Sequence, residues 1–110
     1  MASRGQIEFD FANAKRQADE LEEIARGLNS ISKQQFSGTL QNISSCWKGE
    51  NANLYLKKGN ILVNEISSTS RELLGIAAVI RTTAQKIYNA EMEALRIAER
   101  RNKGGGGRFR

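Results

Sequence analysis

Apolar residues recur along most of this chain at helical spacing. Ala14, Ala18, Leu21, Ile24, Leu28 and Ile31 follow one another at steps of three or four, which places them on one face of a helix. Lys15, Arg16, Asp19, Glu22, Glu23 and Arg26 lie opposite. A second apolar set follows in Phe36, Leu40, Ile43 and Trp47. The step from Ile31 to Phe36 breaks the phase close to Ser37-Gly38. A bend or a frayed turn is expected there, because Gly in a helix interior costs about 1 kcal/mol against Ala.

The preceding stretch, Ile7-Glu8-Phe9-Asp10-Phe11, alternates apolar and acidic residues, and residues 1–10 are expected to form a short extended lead-in. Asp10 then suits the N-cap of the first helix, where its carboxylate accepts from an orphan amide. Phe9 would staple the helix start.

Ser44-Ser45-Cys46-Trp47-Lys48-Gly49-Glu50-Asn51 is the sharpest punctuation in the chain. Gly49 stands where the end of a helix favours positive φ. Glu50 and Asn51 suit the positive end of a new helix. Beyond them, Ala52, Gly59, Ile66, Leu73, Ile80, Ile87 and Ala94 recur every seven residues. Tyr55, Leu62, Thr69, Ile76, Thr83, Ala90 and Ile97 form a second register offset by three. The two registers read as the a and d positions of a coiled-coil seam, and Leu56, Val63, Ala77, Ala84 and Ala98 widen it on one side.

From Glu50 to Arg101 such a helix would run about 75 Å at 1.5 Å per residue. It cannot persist alone in water and must bury its stripe. The expected fold is therefore all-α: an antiparallel two-helix hairpin over residues 11–102, with its turn at 47–49. Leu21, Ile24, Leu28, Ile31, Leu40, Ile43, Tyr55, Leu62, Ile66, Leu73, Ile76, Ile80 and Ile87 are the expected packing interface. One hairpin covers only part of so wide a stripe, so dimerisation into a four-helix bundle is expected, as a homodimer or a heterodimer. Residues 103–110, which contain four consecutive glycines, read as a flexible basic tail.

Composition agrees with long helices. None of the 110 residues is Pro, the residue that removes a helical donor and clashes with the preceding turn. The net charge of +5 is unevenly placed. Residues 1–95 carry 11 basic and 11 acidic side chains, whereas residues 96–110 carry six basic and one acidic. The body is neutral and the C-terminal end supplies the basicity. The longest apolar run, Ile76-Ala77-Ala78-Val79-Ile80, falls far short of the roughly 20 residues that cross a bilayer. No apolar segment follows Met1, so a Sec-type signal peptide is not expected. The chain is expected to be cytoplasmic before any export, and then secreted or at the cell surface by a Sec-independent route. The single cysteine, Cys46, allows no internal disulfide and no multi-cysteine metal site.

Little here suits catalysis. There is no His, and hence no Ser/His/Asp or Cys/His constellation. Asp19-Glu20 and Glu22-Glu23 sit on a mostly polar face and read as solvated helix surface. The glycines at 104–107 are followed by neither a helix pattern nor Lys-Ser/Thr, so they are no phosphate loop. No enzymatic activity, cofactor, metal or small-molecule substrate is expected. A nucleic-acid reading rests only on the basic tail with Phe109, and no basic stripe continues onto the helical body. A structural coiled-coil scaffold, with Trp47 as a core residue, is the other alternative.

Trp47-Lys48-Gly49 between two long amphipathic helices, with Leu40 and Ile43 before it and Ala52 and Tyr55 after it, resembles the WXG family. These are the small early-secreted-antigen-like proteins of type VII secretion systems. The resemblance covers roughly residues 7–101. It implies a helical hairpin that dimerises into a four-helix bundle and is exported without a Sec signal. It implies that the chain is itself a substrate, or is a targeting and chaperone partner that accompanies a larger toxin to a membrane ATPase. Trp47 and Gly49 match the family's turn motif. The family's export motif, Tyr and three residues followed by an acid, is altered here. Tyr88 is followed four residues later by Met92, with Glu91 and Glu93 on either side. That departure favours the partner role, in which Trp47 and Gly49 lend the turn to a composite signal and a mate supplies the acidic end.

Overall fold

In the computed structural model, residues 2–108 are described, with side chains for residues 2–103. The described chain is helical with no strand, and two long helical stretches are joined by a short link. The first stretch comprises α1 (Arg4–Ser30), a π-helical turn (Ile31–Phe36) and α2 (Ser37–Cys46); the second is α3 (Glu50–Arg108).

Helix α1 starts earlier than the alternating pattern suggests. Ser3 caps it: the Gln6 amide donates to Ser3 Oγ at 3.1 Å, and the Ile7 amide donates to the Ser3 carbonyl at 3.0 Å. A side-chain oxygen in that position satisfies a first-turn donor that has no intrahelical partner. Asp10 is therefore inside the helix and not its cap, and its Oδ1 accepts from Gln6 Nε2 at 2.9 Å. Residues 7–11 fit a helix because Ile7 and Phe11, four apart, share a face. Ile7 is buried and Phe11 half-buried, while Phe9 is exposed and staples nothing.

The phase break is resolved by the π-helical turn. Along α1 the residues that turn inward repeat in heptads: Ile7, Ala14, Leu21 and Leu28, with Phe11, Ala18, Ala25 and Ser32. Continued unchanged, that repeat would bring Gln35, Thr39, Asn42 and Cys46 inward. All four are exposed. One extra residue in the π-turn, whose bonds run from i to i+5, moves Phe36, Leu40 and Ile43 into their place, and these three are half-buried. The Ser37 amide closes the turn on the Ser32 carbonyl, and Ser37 Oγ donates to the same oxygen at 3.0 Å.

The residues gather into two compact units, one of residues 1–18 with 78–110 and one of residues 19–77. In the first, Ile7, Ala18 and Ala84 are buried, and the Phe11 and Tyr88 rings stack with centroids 4.5 Å apart. In the second, Ala25, Ala52 and Ala77 are buried together with Ser32 and Ser70. Small residues let helix backbones approach closely. Ser70 Oγ reaches the Ala25 carbonyl at 2.6 Å. Ser32 Oγ donates to the Val63 carbonyl at 2.9 Å, which leaves it to accept from Ser67 Oγ at 3.1 Å. Every one of these hydroxyls has a partner, as buried polar groups require. Gly59 leaves room for the Leu40 side chain, whose Cδ2 would lie 2.5 Å from a Cβ built there and would have to shift.

The inward face of α3 differs from the expected seam. Leu56, Val63, Ser70, Ala77, Ala84, Glu91 and Ala98, seven apart, are all buried or half-buried, as are Ala52, Gly59, Ile66, Leu73 and Ile80. The register Tyr55, Leu62, Thr69, Ile76, Thr83, Ala90 and Ile97 is exposed throughout. Tyr55, Leu62, Ile76 and Ile87 are thus not packed in the chain's own interface, and neither are Ile24 and Ile31 of the first stretch. A single neighbouring helix covers one flank of a wide stripe and cannot reach both. Helix α3 also continues through residues 104–107 to Arg108, beyond the end at Asn102 that the glycines suggested. Each residue added to an existing helix gains one hydrogen bond without a new nucleation cost, although each Gly lowers that gain by about 1 kcal/mol.

Candidate functional site

The link between α2 and α3 consists of Trp47, Lys48 and Gly49. Trp47 ends α2 in an extended conformation, φ −124° and ψ 122°, while its amide still donates to the Ile43 carbonyl, at 2.8 Å. The chain then reverses at Gly49, which has φ 114°. Its carbonyl accepts from the Asn53 amide at 3.0 Å, opening α3. No heavy atom lies within 4 Å of a Cβ built on Gly49. Glycine is required there by its backbone angle and not by crowding. Glu50 places an acid in the first turn of α3, where the macrodipole favours it.

Trp47 itself is 43% exposed. Its indole leans on the Tyr55 ring, with centroids 5.4 Å apart and planes at 41°. Cys46 beside it is exposed and free, within 3.7 Å of Ser45 Oγ. Trp47 and Tyr55 form an aromatic pair at the surface of the unit of residues 19–77, with Leu40 packed against Gly59 nearby. Such a pair offers a large apolar contact area with a hydrogen-bonding edge, the character of an interface anchor.

Tyr88, Glu91 and Glu93, which the resemblance compares with an export motif, fall in the other unit. Tyr88 is half-buried, stacked on Phe11. Tyr88 and Glu91 line one groove together with Ile7, Asp10, Phe11 and Ile87. Glu93 lies outside it, exposed and hydrogen-bonded by Arg96. Met92, where the family's motif places an acid, shares a second groove with Arg4, Tyr88 and Arg96. Tyr88 thus shares a groove with one carboxylate of the pair and not with the other.

Two acids near the end of α3 are engaged with basic side chains. Arg96 pairs with Glu93, and Arg4 approaches Glu99 at 3.8 Å. Phe109 and Arg110 lie outside the described residues. Among the described residues no group of His, Cys, Asp and Glu is placed to hold a metal, and no helix is long and apolar enough to cross a membrane.

Sequence reasoning missed the hydroxyl contacts of Ser32, Ser67 and Ser70 and the Phe11–Tyr88 stack. A signal for one of them was present, since Ser70 falls in the same seven-residue register as Leu56, Val63, Ala77 and Ala84. The chain matches no protein-family model, and neither a curated protein nor a solved structure gives a significant match.

Proposed function

We propose that this chain acts by helix packing and not by catalysis, as a WXG-like substrate or targeting partner of a type VII secretion system. Its task is to form a helical bundle, with itself or with a larger secreted toxin, and to contribute Trp47 and Gly49 to a composite export signal read by the membrane ATPase. The observation that carries this reading is the link itself. A Trp-Lys-Gly sequence joins two long amphipathic helices, with Gly49 at φ 114° and Trp47 left 43% exposed. An indole used only to fill a core would be covered. With Met92 where the resemblance calls for an acid, the mate supplies the acidic element.

The test is export of Trp47→Ala from cells that carry the native secretion system and mate. Export is expected to fall at least tenfold while helicity and intracellular level stay near wild type. Wild-type export of Trp47→Ala would sink the proposal. The tilted contact between Trp47 and Tyr55 supports a second reading, a structural coiled coil in which the indole only packs. On that reading Trp47→Ala lowers thermal stability and leaves localisation unchanged.

A further inference from the structure

Within the unit of residues 19–77, the π-helical turn and α3 enclose a cleft of about 390 Å³. Three cations line it: Arg26 from α1, Lys33 from the π-turn and Arg71 from α3. Asn29, Ser30 and Gln34 add amide and hydroxyl groups, and Leu74 is the one apolar side chain. Residues 1–95 carry 11 acids, yet none of them lines this cleft. Glu22 bonds to one of its cations from outside, its Oε2 accepting from Arg26 at 3.1 Å. Lys33 and Arg71 form no ion pair among the described residues. With Glu22 set against the three cations, the local charge is +2.

Like charges gathered without a counter-charge repel, and an entering anion relieves that repulsion. The donors narrow which anion. An Arg guanidinium presents five N–H groups in a planar fork that matches phosphate or carboxylate oxygens. Arg26 gives part of its fork to Glu22, while Arg71 keeps the whole of its own. Gln34 Oε1 accepts from Ser30 Oγ at 3.4 Å, and its NH2 group remains to donate. A carboxylate brings one charge and two oxygens. A phosphomonoester brings a charge of about −1.5 to −2 at pH 7 and three acceptor oxygens, which matches both the local charge and the number of donors. The cleft has the size of a small-molecule site, roughly 300–1,000 Å³, so the phosphate carries an organic body. No aromatic ring lines the cleft to stack a base, and one leucine offers little apolar contact. That body is therefore polar. The π-turn adds a separate argument, since such turns gather at functional sites, and this one supplies Lys33 and Gln34 to the wall.

We infer that the cleft between the π-turn and Arg71 binds a phosphomonoester on a small polar body, of the sugar-phosphate class. Arg26, Lys33 and Arg71 are exposed, so the binding is salt-sensitive. Arg71 and Lys33 hold the phosphate, and Asn29 and Gln34 orient it. The inference goes beyond the proposed function and does not rest on it, because the cleft shares no residue with Trp47-Lys48-Gly49.

Titration of the full chain with glucose-6-phosphate, followed by amide NMR at an ionic strength held constant with chloride, tests it. Saturable shifts are expected at Lys33, Gln34 and Arg71, with glucose alone producing none. K33Q/R71Q is expected to weaken binding at least about tenfold, the loss of hydrogen bonds to a charged group, with helicity near wild type. K57Q/K58Q removes the same charge from exposed lysines of the same unit outside the cleft, and should bind within about twofold of wild type. Absence of saturable binding overturns the inference. Equal losses in the two variants also overturn it, because they would mean attraction to a positive surface and not to a site. Vesicles containing phosphatidate present the same phosphomonoester on a lipid. Capture by those vesicles without binding of glucose-6-phosphate overturns the small-molecule assignment and gives the cleft to a membrane headgroup. None of these outcomes bears on export of Trp47→Ala, so a failure here leaves the proposed function where it stood.

Discussion

The two units solve the same packing problem with different chemistry. Residues 1–18 with 78–110 are held by apolar bulk: Ile7 is buried against α3, and Phe11 stacks on Tyr88 at 4.5 Å. Residues 19–77 are held by small residues and hydroxyls: Ser70 on the Ala25 carbonyl, and Ser32 on Val63 and Ser67. Apolar contact is strong and non-directional, so it tolerates a small slide of one helix along another. A buried hydroxyl that loses its acceptor is left with its full desolvation penalty. Serines therefore fix the axial register of a helix pair in a way that leucines do not. They stand in the unit that contains the π-turn, where the phase of the first helical stretch is reset.

The largest effect expected is on that phase. Deleting Gln34, an exposed residue of the π-turn, lets the helix pass from Ser32 to Phe36 with ordinary α geometry and keeps every inward residue inward. Stability is expected to change by less than about 1 kcal/mol. Deleting Glu23 from α1 rotates everything before it by about 100° and turns Ile7, Phe11 and Ala18 off the seam. Several kcal/mol should be lost, enough to unfold a small domain. Urea unfolding followed by circular dichroism compares the two. Equal losses would mean that the π-turn is not what sets the phase.

A smaller effect follows from the apolar unit. Phe11→Ala removes the Tyr88 stack from a half-buried position and should cost about 2–3 kcal/mol, toward the lower end for an aromatic truncation. Smaller still is the hydroxyl unit, where Ser32→Ala should cost about 1–2 kcal/mol through the hydrogen bonds lost by Val63 and Ser67. Both are read from thermal or denaturant midpoints. A Ser32→Ala loss that exceeds that of Phe11→Ala would reverse the comparison and make the hydroxyls the stronger tie.

Much of this was legible before any coordinates. Steps of three and four along residues 14–31 and the seven-residue repeats after Glu50 announce two long helices. Trp47-Lys48-Gly49-Glu50 announces the break between them, with Gly49 at the positive φ. Even the π-turn left a trace in the five-residue step from Ile31 to Phe36. What misled was the start, where Ile7-Glu8-Phe9-Asp10-Phe11 satisfies an extended pattern and a helical one equally well. Only the cap from Ser3 separates them.

Local periodicity thus determined which residues lie on a shared face, because side-chain direction follows backbone geometry alone. It could not determine which edge of a wide face meets the neighbouring helix. Tyr55, Leu62 and Ile76 have the same apolar character as Leu56, Val63 and Ile66, and transfer from water favours burying either set. The choice fell to backbone approach: Ala77 and Ala84 let the helices close on one side, and Ser70 and Ser32 found acceptors there. Distance and hydrogen-bond geometry between segments far apart in sequence decided it, and those exist only once the chain has folded.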